Sequence, residues 1–179
     1  MNETWADSIW LHRFMFLGLA LALLFLRLLP LNGGSEALPG PDILLCLIFS
    51  WTIRRPDFLP ILMVALVVLA EDLIIMRPPG LWAGLVVVAT EFIRGRAALT
   101  RELNFSVEWL LVAATMLAMF LINRLVMAIA FVPQPGFGFA MVQVIWSIVC
   151  YPAVVGLSWL ALDIRKPAMG EVDAKGRRL

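Results

Sequence analysis

The sequence is poor in charge, in histidine and in cysteine. Charged residues make up 15% of its 179 positions, and it has one histidine and two cysteines. The formal net charge of +1 lacks the basic excess with which proteins attract nucleic-acid phosphates, so no nucleic-acid partner is expected. Cys46 and Cys150 lie in separate apolar runs without metal or redox spacing, and we interpret them as small hydrophobic residues in helices.

The residue patterns of common catalytic sites are also missing. The chain has no Gly-x-Ser-x-Gly, no His-Glu-x-x-His and no glycine-rich phosphate loop. The single histidine, His12, is predicted at a helix end. General acid–base catalysis needs several groups that converge on one substrate atom, and no such convergence is visible. We therefore predict a protein that is not an enzyme and that holds no cofactor or metal.

Apolar residues are abundant instead, at 62% of the sequence, and the mean hydropathy is +0.93. Soluble domains are about 45–50% apolar and about 25% charged, so this composition predicts an all-α integral membrane protein. The first apolar run is followed by no convincing cleavage site, and we interpret it as a retained helix. Six membrane spans are predicted, at 9–29, 41–54, 57–76, 80–94, 106–131 and 137–162.

Two predicted spans, 41–54 and 80–94, are short for a bilayer core of about 30 Å. They need flanking residues, a locally thinned bilayer or shielding by neighbouring helices. Tryptophans near the predicted span ends are expected to form interfacial belts. They are Trp5, Trp10, Trp51, Trp82, Trp109 and Trp159.

The distribution of basic residues predicts the orientation. With the N-terminus inside, eleven of the 14 Lys and Arg residues are on the inner side, whereas Arg77 and Arg27 are at the outer side and Arg124 is within a span. Basic residues accumulate in cytoplasmic loops, so we predict six crossings with both termini in the cytoplasm. Residues 1–163 are predicted as one transmembrane domain, and residues 164–179 as a disordered cytoplasmic tail.

Three charged residues are predicted within the membrane. Glu71 and Asp72 in the third span and Arg124 in the fifth lie at a similar depth near the outer face. A charge at mid-membrane costs at least about 3 kcal/mol unless it is paired or hydrated. We therefore predict that Arg124 pairs with Asp72 or Glu71, and that the other acid meets Arg77 or the interface. A functional site, proton-linked or partner-binding, is the alternative at these positions.

The other charges near the membrane have simpler predicted roles. Arg27 extends toward the outer interface or meets Glu36 or Asp42, and we assign it no function. Glu91 and Arg94 are three residues apart on one helix, a spacing that brings opposite charges together.

Residues 39–84 carry a more specific pattern, PGPDILLCLIFSWTIRRPDFLPILMVALVVLAEDLIIMRPPGLWAG. It contains Pro-Asp before an apolar run, then Arg-Pro, then a second apolar run with a late Asp, and a Gly eight residues after that Asp. This order resembles the rod shape-determining protein family MreD. The positions that carry the resemblance are Pro41, Asp42, Arg55, Pro56, Asp72 and Gly80.

The sequence departs from the family pattern around the late Asp. The family often has a Gly shortly before this Asp and another four residues after it. This chain has Ala70 and Glu71 before Asp72, and Met76 at the second position. The close backbone approach that such glycines allow is therefore not expected here.

The resemblance implies a non-enzymatic scaffold of the cell-elongation machinery. Such proteins are thought to bind the single-span protein MreC and to link the MreB filament with the glycosyltransferase RodA and its transpeptidase partner. The implied fold is similar to the substrate-binding subunits of energy-coupling-factor vitamin transporters. That likeness leaves a second function open, a membrane receptor for a small ligand, because one fold can serve many functions.

Two surfaces are candidates for partner contact. In the first span, Gly18 and Ala22 are four residues apart and offer a small-residue face to a partner helix. The inner loops are predicted to form a basic surface that contacts anionic membrane lipids or a filament protein. Its residues are Arg54, Arg55, Arg94, Arg96 and Arg101.

Overall fold

The computed structural model describes residues 3–29, 39–101 and 104–162, and these residues form six α-helices and one 3-10 helix. The α-helices are α1 (Glu3–Leu28), α2 (Ile43–Arg54), α3 (Ile61–Ile74), α4 (Leu81–Arg101), α5 (Phe105–Ile129) and α6 (Phe137–Leu162), and the 3-10 helix is Pro56–Phe58. The predicted all-helical class is confirmed. The predicted tail, residues 164–179, and Glu36 lie outside the described residues.

Three of these helices are long and apolar enough to cross a membrane. They are Ile9–Leu28 of α1, the whole of α5, and Phe137–Leu160 of α6. By contrast, α2 has 12 residues, α3 has 14, and α4 has 21 residues but contains several charges. The apolar helices indicate a membrane protein, and the number of crossings stays a prediction.

The shortness of α2 is explained by its position at the centre of the bundle. Twelve residues rise only about 18 Å, and every residue from Leu44 to Arg54 is buried. α2 packs against α6 on one side and α4 on another. A helix that is buried all round is surrounded by protein, so neighbouring helices shield the predicted span 41–54. α4 instead gains length from flanking residues, because it continues beyond 94 to Arg101.

The burial of α2 also corrects one predicted tryptophan. Trp51 is not part of an interfacial belt, since it is 0% exposed and its ring lies 5.5 Å from that of Phe16 on α1. The reason is that the end of α2 lies inside the protein. Trp10 and Trp159 are more than half exposed, at 57% and 52%.

A residue with a left-handed backbone that is not glycine lies two positions after the last residue of α3 and of α5. Met76 has a φ of 56°, and Phe131 has a φ of 54°. In α3, Arg77 N donates to Asp72 O at 3.0 Å and Met76 N donates to Leu73 O at 3.4 Å. These two bonds satisfy the carbonyls of Asp72 and Leu73 in the last turn of α3. The pattern is typical of a helix that is terminated by a left-handed residue, and that residue is usually glycine. Met76 thus occupies a backbone conformation that favours glycine.

Proline inside α6 creates a tie between α5 and α6. Pro152 has no N–H to donate to the carbonyl of Ile148, four residues earlier. Trp109 on α5 fills this gap, because its indole Nε1 donates to Ile148 O at 2.9 Å. A carbonyl without a donor is costly in an apolar medium such as lipid, where no water can replace the missing bond. The tryptophan therefore both completes α6 and fixes its distance from α5.

We predict that Met76→Gly raises the free energy of unfolding by up to about 1 kcal/mol, because glycine adopts positive φ without the steric cost of a side chain. Met76 is 92% exposed, so little packing is lost. Thermal unfolding in detergent measures the effect. The matched control is Ile75→Gly, at a φ of −84°, which should lower stability. If Met76→Gly and Ile75→Gly lowered the stability equally, the positive φ of Met76 would not be a source of strain.

We predict that Trp109→Phe lowers the free energy of unfolding by about 1 kcal/mol, since Ile148 O loses its donor. The loss should shrink in a Pro152→Ala background, where the backbone N–H of residue 152 can bond to Ile148 O. Melting temperatures of the four variants form a double-mutant cycle. Trp146→Phe, at another partly exposed indole, is the control. If the effects of Trp109→Phe and Pro152→Ala on the melting temperature were additive, the bond of Trp109 to Ile148 O would not compensate for Pro152.

Candidate functional site

Five charged residues form a cluster at the end of the bundle where α1, α3 and α5 finish and α2, α4 and α6 begin. We call Arg27, Asp42, Glu71, Asp72 and Arg77 the charge cluster. Arg27 binds two carboxylates at once: its Nη2 lies 2.9 Å from Asp42 Oδ1, and its Nη1 donates to Glu71 Oε1. The predicted contact of Arg27 with Asp42 is confirmed. Arg27 thereby connects α1 to the start of α2 and to α3.

The second arginine of the cluster, Arg77, lies between the two adjacent acids. Its Nη2 is 3.5 Å from Glu71 Oε1, and its Nε is 3.8 Å from Asp72 Oδ1. Glu71 is 2% exposed and Asp72 is 0% exposed. Buried carboxylates are tolerated only when charges and hydrogen bonds compensate for the lost water. Arg27 and Arg77 supply the opposite charge, whereas Asp72 Oδ1 and Arg77 Nε have no hydrogen-bond partner among the described residues.

Asp72 also holds the start of α4. Its Oδ2 accepts hydrogen bonds from Gly80 N and Ala83 N, both at 3.2 Å. The first N–H groups of a helix have no partner within the helix, and a side chain at the residue before the helix usually accepts from them. Gly80 occupies that position and has no such side chain, whereas its φ of 96° suits glycine. Asp72 therefore replaces the missing cap, which explains the eight-residue spacing from Asp72 to Gly80.

Asp42 makes the corresponding contacts at the start of α2. Its Oδ1 accepts from Leu45 N at 3.1 Å, as an N-cap does. Its backbone N donates to Ser147 Oγ on α6 at 2.7 Å. Cys46 Sγ donates to Ser147 O at 3.2 Å. The first turn of α2 is thus joined to α6, and through Arg27 to α1.

The predicted pairing of Arg124 with Glu71 or Asp72 is wrong. Arg124 Nη1 donates to Pro135 O at 3.1 Å, and the guanidinium carbon lies 5.3 Å from the Phe137 ring centroid. Arg27 takes the place predicted for Arg124, because α1 packs against α3. One acid was predicted to meet Arg77 or the interface, and Arg77 lies near both acids. The predicted contact of Glu91 with Arg94, at 3.0 Å, is confirmed.

A cavity of about 400 Å³ separates Arg124 from the charge cluster. Arg27, Asp42 and Arg77 line one side of it, and Arg124 lines the side formed by α5 and the α5–α6 connection. Apolar side chains of α5 complete the wall, among them Met116 and Phe120. The acids Glu71 and Asp72 are not part of the lining and lie behind the arginines that they bind.

A second polar group was missed by the sequence analysis, at the opposite end of the bundle. Arg54 Nη1 lies 2.7 Å from Glu108 Oε1, and Tyr151 Oη donates to the same oxygen at 2.9 Å. Arg54 was predicted on the basic inner surface, and this is wrong, since it is 6% exposed. The signal was available: Arg54 ends α2 and Glu108 begins α5, which places opposite charges at one end of the bundle.

Arginines at that same end also hold the connection between α2 and α3. Arg13 Nη2 donates to Asp57 O at 3.1 Å, and Arg94 Nη2 donates to Leu59 O at 2.7 Å. Arg55 and Pro56 form the start of this connection, where Pro56 is the first residue of the 3-10 helix. Proline is favoured there because its N–H is not needed. The Arg-Pro pair therefore shapes the corner after α2.

Comparisons of the chain with protein-family models, with curated proteins and with solved structures found no match. Within the described ranges, no three His, Cys, Asp or Glu side chains come together as metal ligands would. The features of the chain that bear on its function are therefore the motif positions, the charge cluster and the cavity.

We predict that Arg27→Leu lowers the free energy of unfolding by about 3 kcal/mol, because it leaves buried Glu71 without its closest cation. Adding Glu71→Leu should restore part of the loss, since no buried charge then lacks a partner at that position. Thermal unfolding in detergent measures both variants. The control is Glu91→Leu, which breaks a pair whose acid is 51% exposed and should cost less than about 1 kcal/mol. A double variant less stable than Arg27→Leu would contradict the argument.

Proposed function

We propose that this chain is a multi-pass scaffold subunit of the bacterial cell-elongation complex, as its resemblance to MreD implies. It crosses the inner membrane six times with both termini in the cytoplasm. It binds an MreC-like single-span protein and connects it with RodA, its transpeptidase partner and MreB. It carries out no chemistry of its own.

The observation that supports this proposal best is the contact of Asp72 with Gly80. Both residues belong to the motif, and Gly80 N donates to Asp72 Oδ2 at 3.2 Å. The other motif positions also lie at helix starts: Asp42 caps α2, and Pro56 opens the 3-10 helix. The order and spacing of the motif thus have a physical reason in this chain. This is expected if the resemblance reflects a shared arrangement of the first four helices.

A partner helix would find an exposed face on α1. Gly18 and Ala22 are both exposed, and a Cβ added to Gly18 would have no atom within 4 Å. Phe14 and Phe25, at 65% and 62% exposure, flank them on the same face. Helices in lipid gain little from apolar burial and associate through close backbone approach, which small residues permit. We assign this α1 face to the single-span partner.

A second candidate function is a membrane receptor for a small ligand. The observation that favours it is the cavity of about 400 Å³ beside the charge cluster. Small-molecule sites are concave, mostly apolar and contain a few convergent polar groups, and this cavity has that composition. A scaffold does not need such a space.

We predict that affinity purification of the full chain from its native membrane co-isolates a single-span protein, detected by mass spectrometry. Gly18→Ile should reduce its yield several-fold, because the added side chain prevents close helix approach. Gly156→Ile is the matched control, since Gly156 is an exposed helical glycine on α6 with no atom within 4 Å of an added Cβ. Equal yields from wild type and both variants would place the contact elsewhere. Absence of any single-span partner would refute the scaffold.

A further inference from the structure

We propose that the cavity beside the charge cluster binds the anionic group, a phosphate or a carboxylate, of a ligand that also has an apolar part. The inference deepens the receptor candidate and rests on it. It names the chemistry of the ligand and the residue that recognises it, Arg124.

The charges at the cavity wall are compensated unequally. The charged residues of the lining are Arg27, Arg77, Arg124 and Asp42, and the acids Glu71 and Asp72 lie directly behind it, against Arg27 and Arg77. Arg27 and Arg77 are engaged by carboxylates, including Glu71 behind the wall. Arg124 has no carboxylate partner among the described residues, and it donates a hydrogen bond to a neutral carbonyl, Pro135 O. An anion in the cavity would therefore meet its strongest uncompensated attraction at Arg124.

Arg124 is held in place by the connection between α5 and α6. Its guanidinium donates to Pro135 O, and its own backbone carbonyl accepts from Gln134 Nε2 at 3.1 Å. The connection between α5 and α6 is thus bonded to both parts of this residue. Arginine presents five N–H donors in a planar fork that suits phosphate and carboxylate oxygens, and Pro135 uses one nitrogen only. A fixed, half-buried guanidinium with donors to spare is suited to binding an anion.

The rest of the lining offers an apolar wall and an unpaired polar atom. Met116, Phe120 and Met127 supply an apolar wall on α5, and methionine adapts its shape to a bound group. Asn123 lies beside Arg124, and its buried Oδ1 has no hydrogen-bond partner in the described part of the chain. This oxygen is an acceptor, so it is available to a hydroxyl or another hydrogen-bond donor on the ligand, beside the anionic group. The volume of about 400 Å³ is near the lower end of small-ligand sites, which is about 300 Å³.

The ligand can come from the membrane, as a lipid headgroup, or from solution, as a free anion. The test uses the full chain in phosphatidylcholine nanodiscs. One arm adds hexyl phosphate, or inorganic phosphate alone, and follows the melting temperature. The other arm replaces part of the phosphatidylcholine by phosphatidylglycerol, and native mass spectrometry counts bound lipid. A ligand that binds only the folded protein raises its melting temperature in proportion to occupancy.

We predict that Arg124→Gln weakens binding of the effective probe by about tenfold or more, as expected for loss of a charge-assisted contact. Arg96→Gln removes the same charge from an exposed position at the far end of α4 and should leave the affinity unchanged. A higher melting temperature with hexyl phosphate identifies a soluble anion, and phosphatidylglycerol retained in the native mass spectrum identifies a lipid. Neither a higher melting temperature nor bound lipid, or equal affinity of wild type and Arg124→Gln, would overturn the proposal.

Ala140→Phe tests the same site without changing its charge, and it decides the matter if Arg124→Gln does not fold. Ala140 lines the cavity, so the larger side chain should exclude the probe. Retained binding in this variant would overturn the proposal. A neutral molecule that binds wild type and Arg124→Gln alike, and that Ala140→Phe expels, would refute the anionic class and leave the receptor standing. If no molecule binds wild type, the anionic ligand class and the receptor candidate are both refuted.

Discussion

The arrangement of helices depends on two neighbouring carboxylates that have no access to water. Adjacent residues on a helix point about 100° apart, so Glu71 and Asp72 cannot share one partner in the same way. Glu71 turns to Arg27 of α1, and Asp72 turns to the first N–H groups of α4. In an apolar medium helices gain little from hydrophobic burial, and polar contacts decide which faces meet. One pair of residues thereby fixes the position of α3 between α1 and α4.

The same constraint explains how α1 stays attached although most of it is exposed. Phe16, Ala20 and Leu24 form a narrow buried stripe on α1, and polar or aromatic contacts hold its two ends. At one end Arg27 binds the acids. At the other, the His12 ring stacks on Phe58 with centroids 4.3 Å apart. A helix held at its ends keeps its outer face free, and this is the face that a partner helix could use.

The sequence predicted the helices and the level of each charge, because rise per residue converts sequence position into depth. It could not predict partners, since depth does not say which helices are neighbours. Arg124 and Arg27 lie at the same end of the bundle, and only packing decides that Arg27 meets Glu71. The pairing of Arg54 with Glu108 was missed for a related reason: Arg54 was counted with the loop that follows α2. The left-handed backbone of Met76 likewise could not be read from the sequence, since methionine does not mark such a position.

Of the motif residues only Asp42 also lines the cavity, and this helps to separate the two functions. Asp42, Asp72 and Gly80 hold helix starts, so changing them disturbs the whole bundle whatever the protein does. Arg27 is no better as a discriminator, because it supports α1, binds the buried acids and lines the cavity at once. By linkage, a partner that moved α1 would also alter the cavity wall at Arg27, and a ligand there would alter the affinity for the partner by the same factor. Gly18 and Arg124 are free of this overlap: one lies on the outer face of α1, and the other lies across the cavity from the cluster. Effects at these two positions can therefore be attributed to a partner helix and to a ligand separately.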